Sequence, residues 1–88
     1  MEFHAFREKI GAVAEDKTKS LYLGQIAFAL FLADRDDRPY YTGLAVGLRR
    51  AYIGTGLLLE EDTVGIVVFE QEMEKRHFDI IANGEGSE

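Results

Sequence analysis

Leu21-Tyr-Leu-Gly-Gln-Ile-Ala-Phe-Ala-Leu-Phe-Leu-Ala33 is apolar almost without interruption and gives way at once to Asp34-Arg-Asp-Asp-Arg38. A segment apolar on every side has to be covered on every side, so this stretch belongs at the buried centre of a compact domain. Ala27, Ala29 and Ala33 favour a helix, and the run is long for a strand of a small sheet. It is too short to cross a bilayer, which takes about 20 apolar residues, and Gln25 interrupts it. The reading is a central helix over 20–34.

The neighbouring segments follow from their spacing. Phe3, Phe6, Ile10, Val13 and Ala14 recur at helical intervals, with Arg7, Glu8 and Glu15 off that stripe, which predicts a helix over 2–15. Asp16-Lys-Thr-Lys-Ser20 is a polar break in which Thr18 or Ser20 can cap the central helix. Asp34 to Pro39 reads as a loop, since the residue before proline is pushed out of helical geometry. Leu44, Leu48, Ala51 and Tyr52 predict a helix over 42–53, capped by Thr42 and ended by Gly54-Thr-Gly56. Gly43 and Gly47 suggest close packing of that helix on the central one.

Ile66, Phe69, Met73, His77 and Ile80 step by three and four, from a cap at Asp62-Thr63 to a stop at Asn83-Gly84. They predict a long helix over 63–82. The β-branched run Val64-Gly-Ile-Val-Val-Phe69 supports a different reading, a strand paired with Leu57–Leu59. The expected fold is therefore all-α, a compact bundle of about four helices in one domain over 1–84, with 85–88 a flexible tail. The alternative is α+β with a small hairpin at 56–69.

Composition bounds the function. Eighty-eight residues hold one core, and a domain this small leaves much of its surface open, which favours self-association. Without cysteine there are no disulfides, thiolate chemistry or Cys-ligated metals, and a cytoplasmic setting fits. The first residues lack the layout of a signal peptide. The net charge of −6 is concentrated over residues 60–88, where nine acids face only Lys75 and Arg76. Direct nucleic-acid binding needs many cations against phosphate, so the chain is a poor candidate for it, and an electrostatically chosen protein partner would be basic.

Four constellations could carry chemistry. On the 63–82 helix, Val64, Val67, Val68 and Phe78 form a second apolar stripe opposite the first, with Gln71 and Lys75 among them, as at a subunit seam or docking face. Glu70 and Glu74 add carboxylates beside it, and Glu72 points to the other side. Together Val64, Val68, Phe78, Glu70 and Glu74 are the candidate partner-binding residues.

Arg35, Arg38, Tyr40, Tyr41, Arg49, Arg50 and Tyr52 mix guanidinium forks with aromatic rings, the ingredients of a nucleotide or phosphate pocket. Asp34, Asp36 and Asp37 offer the same arginines simple ion pairs. Glu74-x-x-His77 has the spacing of di-metal helical bundles, but it occurs once, and His77 on the apolar stripe reads more simply as a hydrogen-bonded core histidine. His4 and Glu8 are an equally isolated pair.

No nucleophile–base–orienter set stands out, and Gly54-x-Gly56 lacks the lysine of a phosphate-binding loop. No catalytic residue, metal or cofactor is assigned. The expectation is a small acidic protein–protein interaction module, a regulator or inhibitor of a larger partner, that forms homo-oligomers. An anion-binding protein and a structural component of an assembly are the alternatives.

Overall fold

Asp16, rather than Thr18 or Ser20, opens the central helix in the computed structural model, which describes residues 1–86 and side chains as far as Phe78. Its carboxylate accepts the backbone N–H of Lys19 at 2.9 Å, as an N-cap does three residues into a helix. There are four α-helices and a 3-10 turn, with no strand among the described residues: α1 (Phe3–Lys9), α2 (Lys17–Asp36), α3 (Pro39–Gly54), the turn Glu60–Thr63, and α4 (Val64–Gly86). The hairpin alternative is thereby set aside. Val64 to Phe69 is helical despite its β-branched residues, because Ile66 is buried in the core and tertiary packing outweighs propensity.

The helix bounds differ from the expected ones for identifiable reasons. The helix expected over 2–15 ends at Lys9. Gly11 takes φ +72°, its N–H bonds Glu8 O, and Ala12 N–H bonds Arg7 O at 2.8 Å, the paired bonds of a Schellman motif. Past that turn Val13 faces solvent and Ala12 enters the core in its place. The loop expected at 34–39 shrinks to Asp37 and Arg38. Asp37 adopts the left-handed conformation an aspartate tolerates, and Arg38 is extended, as a residue before proline must be. Pro39 starts α3 at its first helical position, where a missing N–H costs nothing, so Thr42 lies inside the helix and is buried. Instead of stopping at Asn83-Gly84, α4 continues to Gly86, so the expected tail is helical at 85–86, and 87–88 lie outside the described residues.

The core joins Phe6, Ile10, Leu23, Ile26, Leu30, Ala45, Leu58 and Ile66, contributed by all four helices and the turn segment. Phe6 sits edge-on to both Phe31 and Phe69, tying α1 to α2 and α4. The central segment is not covered on every side, however. Leu21 is 59% exposed and Phe28 50%. The molecule is a slab of 49 × 29 × 16 Å. At helix separations of about 8–10 Å, its short dimension holds no more than two layers of helices.

Two glycines, neither of them Gly43 or Gly47, mark close approaches. Gly43 and Gly47 are exposed, with open space where a Cβ would stand. Gly65 instead rests on the end of α1, where a Cβ would overlap the Ile10 carbonyl, its carbon only 3.0 Å away. Gly24 lies under the Arg7 guanidinium, 3.1 Å from where its Cβ would be. Arg7 uses that position as a clamp. Nε donates to Ala12 O at 3.1 Å, and Nη2 donates to Ser20 O at 2.7 Å and Ser20 Oγ at 3.0 Å, joining α1, the connecting loop and the first turn of α2.

Candidate functional site

The acidic and basic candidates are rearranged by one long-range pair. Glu70 does not share an exposed face with Glu74; only 2% of its surface is accessible. Both of its oxygens accept from Arg49 Nε at 3.0 Å, and Arg49 Nη2 also lies 3.0 Å from Oε1. Burial pushes the Glu70 carboxyl above the ordinary glutamate range, Arg49 opposes that shift, and nearby Glu74 adds to it. Helical register explains the burial, since His77 lies about 20° round α4 from Glu70 towards the core, whereas Glu74 lies about 40° round in the opposite direction, towards solvent. That i, i+7 relation was present in the sequence.

The Arg/Tyr cluster separates into two groups. Arg38, Tyr40 and Tyr41 sit at the start of α3, while Arg49, Arg50 and Tyr52 lie about 16 Å further along the same helix. Within the first group Tyr40 and Tyr41 stack edge to face, and Arg35 pairs with its neighbour Asp36 at 3.0 Å, which holds the Asp36 carboxyl below its usual range. In the second group Arg49 belongs to Glu70, and the Tyr52 hydroxyl donates to the Gln25 side chain while its ring stacks on Tyr22. Arg50 is exposed. Ion pairing with the loop aspartates is realised by Arg35, and also by Arg76, which the sequence reading had not considered. Arg76 Nη1 reaches Asp34 at 3.1 Å, and its Nη2 approaches the last carbonyls of α2.

His77 is a core histidine. It is buried, with Nδ1 3.5 Å from Thr42 Oγ1 and Nε2 3.4 Å from Asp37 Oδ1, the oxygen that also lies 3.1 Å from Arg76 Nε. Glu74 lines the same groove, with no hydrogen bond to His77, and no three His, Asp or Glu side chains among the described residues gather as metal ligands. His4 Nε2 and Glu8 Oε1 lie 3.4 Å apart on an exposed face of α1.

What remains accessible is the outer stripe of α4. Val64 is 62% exposed, Val68 52% and Phe78 70%. Three shallow grooves run beside these side chains, and each carries a carboxylate. Glu60 is with Arg49, Val64, Val67 and Val68 in a groove of about 310 Å³. Glu72 is with Lys9, Val68 and Phe69 in one of about 240 Å³. Glu74 is with Phe78 in one of about 320 Å³. None of these three carboxylates is paired with a cation among the described residues. Glu72, set aside for pointing away from Glu70 and Glu74, turns out to flank the stripe on one side as Glu74 does on the other.

Comparison with protein-family models, with curated proteins and with solved structures finds no match for this chain. No helix among the described residues is long and apolar enough to cross a membrane.

Proposed function

We propose that the chain is a non-catalytic interaction module whose α4 stripe receives a basic amphipathic helix of a larger partner protein. The observation that supports this is the coincidence of three largely exposed apolar side chains with carboxylates on both flanks that have no ion-pair partner among the described residues, although Lys9 and Arg49 line two of the grooves. A helix-in-groove contact reads anchors at intervals of three, four and seven residues. Val64 and Val68 stand one turn apart and Phe78 ten residues further on, with Gln71 and Lys75 between them on the stripe, and lysines or arginines beside the partner's apolar residues meet Glu60, Glu72 and Glu74 at its edges. Regulation or inhibition follows if the captured helix is one the partner needs elsewhere. The cysteine-free composition is compatible with work in the cytoplasm. Anion binding draws less support, because Arg35 and Arg49 already hold carboxylates and the remaining candidates are divided along α3.

The test uses two synthetic helical peptides with identical leucine spacing, one flanked by lysines and the other by glutamates, titrated by fluorescence anisotropy. The lysine peptide binds, and the double reversal Glu72→Lys and Glu74→Lys weakens it about tenfold or more. Val68→Ser and Phe78→Ser weaken it independently of salt. Equal binding of both peptides, or binding unmoved by these four substitutions, would remove the basis of the proposal.

A further inference from the structure

A groove of about 530 Å³ opens between α1, α2 and α3 and takes no lining residue from α4. Phe3, Leu21, Phe28 and Leu48 form its apolar walls, and Arg7, Ser20 and Gln25 are its polar groups. It contains no carboxylate, unlike the three grooves along α4. Three N–H donors of Arg7 are spent, Nε on Ala12 O and Nη2 on both Ser20 O and Ser20 Oγ. Nη1 has no acceptor among the described residues and remains open to solvent. Nor does Arg7 form an ion pair with any of them. Its guanidinium is held in place, with Cζ 6.0 Å from the Phe3 ring centroid and Gly24 beneath, where a Cβ would stand 3.1 Å from Nη1. Gln25 adds a second donor, because its side-chain oxygen accepts from the Tyr52 hydroxyl and its amide nitrogen is left to donate.

We infer that this groove binds a monocarboxylate with an apolar body, such as a medium-chain alkanoate. The carboxylate meets Arg7 Nη1, and the hydrocarbon lies along Leu21, Phe28 and Leu48. Charge complementarity selects the class. A site with unspent donors, one cation and no acid repels a cationic ligand and rewards a single negative charge. A doubly charged phosphate would face only one cation, and with Nε and Nη2 committed no bidentate fork remains for it. The walls select the rest of the ligand, since buried methylenes add affinity there whereas a buried polar group would lack a partner.

The acidity of the chain does not oppose this ligand on this side. Over residues 1–33, Glu2, Glu8, Glu15 and Asp16 are balanced by Arg7, Lys9, Lys17 and Lys19, and α3 carries Arg49 and Arg50 without an acid. The volume lies within the range of about 300–1,000 Å³ common to small-molecule sites. An occupant would also cover Leu21 and Phe28, which the two-layered slab leaves 59% and 50% exposed. The site is separate from the Arg/Tyr cluster and from the α4 stripe.

Isothermal titration of the whole chain with decanoate and with decanol, alike in chain and different in charge, tests the inference, and amide chemical shifts locate the site. Decanoate binds about tenfold tighter than decanol, and added salt weakens decanoate alone. Shortening decanoate to octanoate costs roughly fourfold, as for methylenes half buried in an open groove. Arg7→Met removes the preference for decanoate, with circular dichroism to check its fold, since Arg7 also clamps α1. Phe28→Glu keeps Arg7 and sits at a half-exposed position, and it weakens decanoate about tenfold by placing a carboxylate in the groove. Leu59→Ser, at a residue as exposed as Phe28 but outside the groove, leaves the affinity unchanged. Decanoate does not compete with the lysine peptide for α4, so the two readings fail separately. No binding of decanoate at about 1 mM, equal binding of decanol, an affinity unmoved by Phe28→Glu, or shifts centred outside the groove would overturn the inference.

Discussion

Substituting alanine for Gly47 and for Gly65 should move stability in opposite directions, although both glycines are helical and the chemical change is the same. At Gly47 an added methyl group meets open space, so the substitution gains the helix-propensity difference of about 0.8–1.0 kcal/mol. For a domain of this size that raises the melting temperature by roughly 4–8 °C. At Gly65 the same gain is available, but the new Cβ would overlap the Ile10 carbonyl, with its carbon at 3.0 Å. That neighbour is backbone, fixed by the Schellman turn that ends α1, and no rotamer change relieves it. Either α1 lifts away from α4, giving up part of the Phe6–Phe69 contact, or both helices shift. Overpacking of this kind costs about 1–3 kcal/mol or more. Net of propensity, Gly65→Ala loses up to about 2 kcal/mol, and its melting temperature falls by several degrees. Urea denaturation of the three proteins reads both values. A Gly65→Ala protein more stable than the wild type would refute the docking of α1 against α4.

Removing one member of the Arg49–Glu70 pair strands the other with little water around it. Arg49→Met, which leaves the Glu70 carboxylate buried without its cation, should therefore cost about 3–5 kcal/mol, whereas adding Glu70→Gln to it recovers much of that loss, as a double-mutant cycle in urea would show. Arg7→Lys should cost about 1–3 kcal/mol and speed proteolysis between residues 10 and 16, because an ammonium cannot reach Ala12 and Ser20 with a planar fork. The pH dependence has two opposed parts. The Asp62 carboxyl, held low by the Leu59 N–H and then by Lys19, gives stability that is present above its unfolded pKa and disappears as pH falls. The Glu70 carboxyl, raised by burial, gives stability present below its unfolded pKa and lost as pH rises through the folded value. Denaturant midpoints measured from pH 3 to neutrality should lose the acid-side decline in Asp62→Asn and the rise-dependent loss in Glu70→Gln.

The all-helical character was legible in the sequence because it rests on repeated apolar spacing, and Phe6, Ile10, Leu23, Ile66 and Met73 all face inward as that spacing requires. Boundaries were less so, and each error came from a residue with two meanings. Gly11 lies inside the stripe that predicts a helix over 2–15, and its positive φ makes it a stop. Pro39 reads as a breaker until it serves as a first helical residue. The candidate site depended on partners far apart in the chain. Nothing near Glu70 announces Arg49, and nothing near Arg7 announces the Ser20 carbonyl, because such pairs exist only once the helices cross. Val64, Val68 and Phe78 were found because an apolar stripe opposite an apolar stripe is a local pattern.

The contact between Ile10 and Gly65 also sets an order of events during synthesis. A helix of seven residues does not hold its shape alone, since nucleation outweighs the few hydrogen bonds it can form. The surfaces that steady α1 are α2 and, through Phe69 and Gly65, the start of α4. At about 5–20 residues per second, several seconds separate the appearance of the two ends of that contact. During that interval α2 and α3, joined by only Asp37 and Arg38, can already close against each other. Of the four helices, the one made before the others is thus among the last to settle, and until Gly65 arrives, Phe6 faces water on the side that Phe69 will cover.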